Sequence, residues 1–580
     1  MNRLYTLLIL LLMYVCNMIA VPAHPGSSKV QQPDGTYVTI RLYGDEWLHY
    51  QTTDDGYTII KNPQGYYVYA MLQDGELFPT NLTAHDPEER SESELAFLNE
   101  TQKHIKPVMD EDMLKTKQQL DQIQQQTLAS RRAGSYDYTK FRGLIILVEF
   151  NDKKFMRPDY KTIINDMVNK ENYTGYDNER YTGSVYDYFK DNSEGKFLPH
   201  FDIAGPYTIN YSQYYPKGTQ NAGIICKEVA IAADADVDYS QYDGDGDGRA
   251  DLVFFIFAGH SSNYQKNDQR LLWPHRSVIS TDVDGIKVRD YVCTTELHGL
   301  ESDPVKILDG IGTICHEFGH VLGLPDFYDT DYEKGGGESD HPGLWSVMAY
   351  GCYMNKDRTP VGYSLYERYS TGFIDEPTVI SQEGSYVLPP LFESKAGFRI
   401  NTTTDKEFFL FENRQKSLYK WDTYLPGNGM LVHHVDQTKP HLWTLTYNKV
   451  NSDPSRNYYK VVRAKGDQSE EKDGGGILWL STSDDTFPGT GNVTELTNVT
   501  TPANLLSWSG QDTPWVLKNI QMSTDGLITF DIESSSQTQG IMPVTHSTSN
   551  NMSIYNLYGQ RVTRQHKGLL IHNGKKVLNK

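Results

Sequence analysis

Apolar and polar positions alternate along Tyr37-Val38-Thr39-Ile40-Arg41-Leu42-Tyr43, and again in Trp47-Leu48-His49-Tyr50, Tyr57-Thr58-Ile59-Ile60 and Tyr66-Tyr67-Val68-Tyr69. Asp-Gly and Gln-Gly dipeptides punctuate these runs, which predicts short strands joined by tight turns. From about residue 86 to 132 the texture shifts to Glu, Gln, Lys and Leu, the composition of an exposed helix and a linker. A continuous apolar run at 143–150 then predicts a buried strand that opens a new fold. Helices are expected at 183–189, ending near Gly195, and at 221–233; strands are expected at 200–206 and 252–257. The run 360–369 has helical spacing.

Beyond residue 378 short alternating strands return at 398–400, 407–414, 429–436 and 527–532, the pattern of a β-sandwich. A Ser/Gln-rich stretch, 534–539, leads into a tail of two or three strands with a basic end. The fold class is therefore α+β and multidomain. The expected division is a signal peptide at 1–23, a pro-segment of β module plus helical linker at 24–134, a catalytic domain at 135–378, a β-sandwich domain at 379–535, and a linker with a sorting tail at 536–580.

The chemistry concentrates in Ile314-Cys315-His316-Glu317-Phe318-Gly319-His320-Val321-Leu322-Gly323-Leu324-Pro325-Asp326. Residues four apart on a helix differ by about 40° around the axis, so His316 and His320 present both imidazoles to one point. Two histidines so placed suit zinc, and Glu317 is set beside the first ligand to take a proton from a water that the metal polarises. Gly323 can adopt the left-handed conformation that ends a helix, and Pro325 forbids its resumption. The chain then turns back and offers Asp326 as a third, oxygen ligand. Glu367, on the later helical run, is the alternative third ligand. The bland reading, a helix with two satisfied core histidines, does not account for Gly323 and Asp326 at their offsets.

Downstream, Trp345-Ser346-Val347-Met348-Ala349-Tyr350 is similar to the Met-turn of metzincin proteases, in which a methionine floors the zinc site. Tyr350 stands at the offset from which a tyrosine reaches the metal or the oxyanion in some of them.

Further polar patterns carry weaker chemistry. Asp243, Asp245, Asp247 and Asp251, with Gly248 between, follow most of a calcium loop. Position twelve is Phe254 in place of the closing Glu, so an incomplete loop is expected, open to completion by Asp236 or Asp238, beside the reading as a plain acidic turn. Ala258-Gly259-His260-Ser261-Ser262-Asn263 after a strand has the outline of a nucleophile elbow, but Asn263 replaces its last glycine. The strand before it is expected to form the rim of the cleft, where an extended substrate pairs along its edge. His433 and His434 point to opposite faces of one strand, which leaves at most one of them, with Asp436, for a functional role and neither for catalysis. Behind Cys16, four cysteines remain, Cys226, Cys293, Cys315 and Cys352; three pairings are open, Cys293 with Cys315 among them, beside the reading as small buried apolar groups.

Asn2 and Arg3 before the apolar run 4–16, with Ala20 and Ala23 after it, read as a secretory signal peptide, the run being too short to span a membrane. Export as a secreted or cell-surface protein follows. The formal net charge of −21 repels phosphate backbones and excludes nucleic acid as a natural partner. Protein or peptide substrates and a monomeric state remain the expectation. Arg131-Arg132 is a candidate processing site of a zymogen, and no cysteine between Asn17 and Ser135 is available for a cysteine switch.

With these residues in view, the chain from about 36 to 533 resembles the M6 family of secreted metalloproteases, the immune inhibitor A group. The motifs that carry the likeness are 316–326, 345–350, Gly183-Ser184-Val185-Tyr186-Asp187-Tyr188-Phe189, the Asp-Gly repeat, Glu412-Asn413-Arg414 and Leu425-Pro426-Gly427-Asn428-Gly429. The resemblance implies a metzincin-like zinc endopeptidase, calcium-stabilised and exported as a zymogen. The tail resembles sorting signals of the type IX secretion system. The rival class is a surface adhesion or binding protein with a protease-like scaffold and a ligand-binding β-sandwich.

Overall fold

The computed structural model describes residues 19–20, 23, 27–44, 49–108, 138–244, 246–264, 270–330, 339–394, 397–416, 418–445, 447–466, 469–471, 477–479, 481–535 and, in the tail, 554–556, 561–562, 568–572 and 575–579. Most of the stretch read as a signal peptide, the Arg131-Arg132 pair and Asp245 lie outside the described residues. Residues 1–535 form one compact unit and 536–580 another.

The first unit is built on a sheet whose strands, in chain order, are β1 (Gly143–Glu149), β2 (Phe201–Thr208), β3 (Val253–His260), β4 (His275–Val283) and β5 (Ile286–Leu297). In space they run β4-β5-β3-β1-β2, with β5, β3, β1 and β2 parallel and β4 antiparallel at one side. Parallel strands need both faces covered, and their sequences are correspondingly apolar throughout. One face of β1 and β3 (Ile145, Leu147, Phe254, Ile256) packs under helices α1 (Tyr160–Asn169), α2 (Val185–Asn192) and α4 (Gly312–Val321). The other face (Leu144, Ile146, Phe255, Phe257) packs on α3 (Ala222–Ala233).

This arrangement corrects the reading of the strand before Ser261. β3 is hydrogen-bonded on both sides and buried at every position, so it is a central strand and offers no rim. At one end of the sheet β2 pairs only with β1, and at the other a sixth, short strand lies outside β4. There Ile19 and Ala20 pair antiparallel with Arg276 and His275.

After a further helix, α5 (Leu365–Ser370), two sheets face each other. The first contains β7 (Phe398–Asn401), β8 (Glu407–Arg414), β9 (Gly429–Asp436) and β10 (Tyr459–Val461), and the second β6 (Gly384–Leu388), β11 (Trp515–Met522) and β12 (Ile528–Ser534). Phe409, Phe411, Met430 and Val432 meet Leu388, Leu517, Phe530 and Ile532 between them. The opposite face of the first sheet is buried as well: Phe408, Leu410, Leu431 and Val435 join the core beneath α4. β8 and β9 are buried at all eight positions each. Alternation along these strands thus serves two cores rather than a core and solvent.

The N-terminal module is a six-stranded antiparallel meander from Ser27–Gln31 to Glu76–Thr83. The helix Glu92–Leu98, with a Ser91/Glu94 capping box, closes its small core of Val38, Ile40, Ile59, Tyr69 and Leu98. The second unit is a four-stranded antiparallel sheet within 554–579. Among the described residues no helix is long and apolar enough to cross a membrane.

Candidate metal centre

Helix α4 has no side-chain cap; its first amide, Gly312 N–H, donates instead to the Asp357 carbonyl at 2.8 Å. It ends as its sequence dictates. Gly323 has φ +97°, its N–H donates to His320 O at 3.0 Å, and Leu324 N–H donates to Gly319 O at 3.0 Å. The chain folds back and brings Asp326 over the last turn.

His316, His320 and Asp326 are all completely buried. His316 Nδ1 lies 2.8 Å from Val347 O, and His320 Nδ1 lies 2.7 Å from Leu324 O. A carbonyl only accepts, so each Nδ1 carries the proton and each Nε2 presents a lone pair. The two Nε2 atoms stand 3.2 Å apart, and Asp326 Oδ1 is 3.1 Å from that of His316 and 3.4 Å from that of His320. Asp326 Oδ1 receives no well-directed hydrogen bond. Four ligands about 2.0–2.1 Å from a zinc ion stand about 3.3 Å from one another, so three converging acceptors at this spacing fit the metal.

Burial alone would raise the Asp326 carboxyl, but the two imidazoles outweigh it and hold it down at about 2. Burial pushes His320 below the ordinary imidazole range, towards the neutral form that coordinates metals.

The other predicted residues are distributed around this point. Glu317 is fully buried on α4, next to His316. A Cβ built on Gly319 would lie 2.4 Å from Met348 Sδ, so the Met-turn sulfur presses on α4 between the two histidines. Tyr350 follows in the same turn, with the His341 ring edge-on to it at 4.9 Å. Glu367, the alternative ligand, faces away: it accepts from Ser346 Oγ at 2.5 Å and from Ser364 N–H at 2.6 Å within the capping box of α5.

A residue the motif does not announce completes the centre. Asn448 Nδ2 donates to Asp326 Oδ2 at 2.6 Å, and Asp326 N–H donates back to Asn448 Oδ1 at 2.7 Å. This holds the carboxylate with Oδ1 towards the histidines. No sequence pattern marks Asn448, which the fold holds in the left-handed region at φ +46°.

In the Asp-Gly loop, Asp243 Oδ2 accepts from Gly248 N–H at 3.0 Å, Asp247 Oδ1 from Arg249 N–H at 2.9 Å and Asp251 Oδ2 from Gly244 N–H at 3.1 Å. The expected completing ligands are turned elsewhere: Asp236 accepts from the Tyr207 hydroxyl at 2.9 Å and Asp238 from Ser240 N–H at 3.1 Å. Ser261 is fully buried and bonds to Asn263, not to a histidine, which removes the nucleophile-elbow reading. His433 pairs with Glu412 at 3.2 Å, His434 with Glu407 at 2.8 Å and Asp436 with Arg456 at 2.6 Å, so all three serve packing. All four described cysteines are free and buried; the Cys293–Cys315 bridge does not form.

Residues 135–369 match the family model described as immune inhibitor A peptidase M6, catalytic domain. Immune inhibitor A of Bacillus thuringiensis subsp. alesti is 45% identical over 56 residues, 9% of this chain and 8% of that protein. Pre-pro-metalloprotease PrtV of Vibrio cholerae serotype O1 (strain M66-2) is 40% identical over 53 residues, 9% of this chain and 5% of that protein. The alignments thus span less than a tenth of each relative.

Proposed function

We propose that this chain, whose residues 135–369 are a peptidase M6 catalytic domain, is an exported zinc-dependent endopeptidase of metzincin-like build that cuts peptide bonds in proteins. The observation that carries this reading is the convergence of His316 Nε2, His320 Nε2 and Asp326 Oδ1 on one buried point. Zinc in such a site supplies Lewis acidity and lowers the pKa of water towards about 7.

The chain's own residues do the rest. The Val347 and Leu324 carbonyls fix the two imidazole rings, and Asn448 fixes Asp326. Glu317 takes the proton of the attacking water and delivers it to the departing amine nitrogen. The Tyr350 hydroxyl donates to the scissile carbonyl oxygen as negative charge gathers there. An extended substrate pairs along the edge of β4.

The segment 24–134 acts as a pro-segment. Support comes from its position: Leu42 packs on Trp273, just ahead of β4, and the His49 ring stands 4.9 Å from that indole. Ile19–Ala20 on the β4 edge would leave with a signal peptide ending at residue 23 and free that edge. Calcium is a structural ion at Asp243, Asp245, Asp247 and Asp251, a reading supported by Asp243 Oδ1, which is buried without a hydrogen-bond partner. The tail within 536–580 serves sorting to the cell surface or medium.

Casein cleavage by the purified, processed protein tests the proposal. Activity abolished by a chelator and restored by zinc is expected. Cleavage indifferent to the chelator, or casein bound and left intact, overturns it in favour of a binding protein on a protease-like scaffold.

A further inference from the structure

A second group of metal-type donors lies at the other end of α4. His298 follows β5, Asp309 precedes α4, and Asp357 follows the Met-turn; one donor atom from each lies within 4.8 Å of the others. His298 Nδ1 is 3.2 Å from Asp309 Oδ1 and 3.1 Å from Asp357 Oδ2. The Tyr264 hydroxyl donates to the Asp357 carboxylate and lies 3.5 Å from Asp309 Oδ1, its ring 4.6 Å from that of His298. Asp357 is completely buried, and its Oδ1 receives no hydrogen bond. We propose that His298, Asp309 and Asp357 bind a second divalent cation of the zinc class, with Tyr264 at its margin.

Three arguments support this assignment. The first is spacing: donors 3.1 and 3.2 Å apart repeat the edge lengths of the His316–His320–Asp326 centre. The second is charge. Two buried carboxylates around one protonated imidazole leave a net negative charge, whereas a divalent ion with neutral His298 leaves none. Arg358, next in the chain, is engaged by Glu179 at 2.5 Å and does not supply the balance. The third is ligand type, because a ring nitrogen with two carboxylates suits zinc better than the oxygen-only shells of calcium or the hydrated shell of magnesium.

The site would tie the base of the catalytic helix to the Met-turn region. Asp357 reaches it from three successive residues in the left-handed region, Asn355 (φ +51°), Lys356 (φ +57°) and Asp357 (φ +61°), and its carbonyl accepts the Gly312 amide. A Cβ on Gly310 would lie 2.2 Å from that carbonyl carbon and oxygen, so Gly310 permits the approach.

Elemental analysis of the full chain, loaded with zinc and dialysed against metal-free buffer, tests the inference. Two zinc ions per chain are expected in the wild type, one in His298→Gln and one in His320→Ala. Loss of casein cleavage in His320→Ala bears on the catalytic reading; the zinc count of His298→Gln bears on this one. One zinc in the wild type and an unchanged count in His298→Gln would show an ion pair about a protonated imidazole and overturn the proposal. Two zinc ions retained in His298→Gln would overturn it too. Should that variant not fold, Asp357→Asn carries the same expectation, and the wild-type count decides alone.

Discussion

Asn448 and Asp326, 122 residues apart in the chain, exchange two hydrogen bonds, Nδ2 to Oδ2 at 2.6 Å and backbone N–H to Oδ1 at 2.7 Å. The pair places a loop from the β-sandwich half of the unit directly behind a candidate metal ligand. Removing the amide frees the carboxylate to rotate and leaves the Asp326 N–H unpaired. Asn448→Ala is expected to weaken zinc retention about 10–100-fold, the usual effect of deleting a group that orients a ligand. Competition with a chromophoric chelator reads this directly, and unchanged retention would show that Asp326 is held by packing alone.

Glu317→Gln preserves shape and hydrogen bonding but removes the basic oxygen. Zinc content should stay at the wild-type value while kcat for casein or a quenched peptide falls at least about 100-fold, the lower end of what a positioned base contributes. Substantial turnover in a correctly loaded variant would take the proton-transfer role away from Glu317.

Gly319 has no room for a side chain, since its Cβ would stand 2.4 Å from Met348 Sδ and 3.3 Å from the Tyr363 hydroxyl. Gly319→Ala should cost about 1–3 kcal/mol through overpacking, despite the roughly 1 kcal/mol that alanine gains over glycine in a helix. Thermal unfolding measures the loss. Combining it with Met348→Ala should return part of the stability, because the two residues share one space.

Glu412 connects the two halves through buried polar contacts, accepting from Leu365 N–H and pairing with Arg414 and His433 at 3.2 Å each. Burial alone would raise its carboxyl, but Arg414 and His433 outweigh it and hold it at about 2. With the folded value depressed below about 4.3 for the unfolded chain, its contribution is complete above pH ~4.3 and is lost as the pH falls towards 2. Glu412→Gln should therefore cost about 3–5 kcal/mol at neutral pH, the range for breaking a buried pair, and much less near pH 2. Urea unfolding of both proteins across that interval checks the convergence.

The candidate metal ligands were legible because their geometry is local. His316 and His320 need only one helical turn, and Gly323-Leu324-Pro325 stops that turn within reach of Asp326. Asn448 was not legible, since a lone asparagine in a loop has no pattern and its partner is set by tertiary packing. The apolar run of β3 revealed a buried strand but not its neighbours; full burial on both sides is the mark of a central parallel strand, bordered here by β5 and β1. Composition allowed several cysteine pairings, and only placement shows four free, buried thiols. Asp236 and Asp238 looked available by proximity in sequence, yet Tyr207 and Ser240 take their oxygens.

The first sheet beyond residue 378, apolar on both surfaces, changes what a truncated protein would mean. A fragment cut at the end of the matched segment 135–369 would bare the cavity that Phe408, Leu410, Leu431 and Val435 now plug, besides losing Asn448. Such a fragment would clump and shed its ion before any peptide reached it. Silence from it in an assay would record a missing wall of the enzyme, with no bearing on whether the histidines and glutamate are competent.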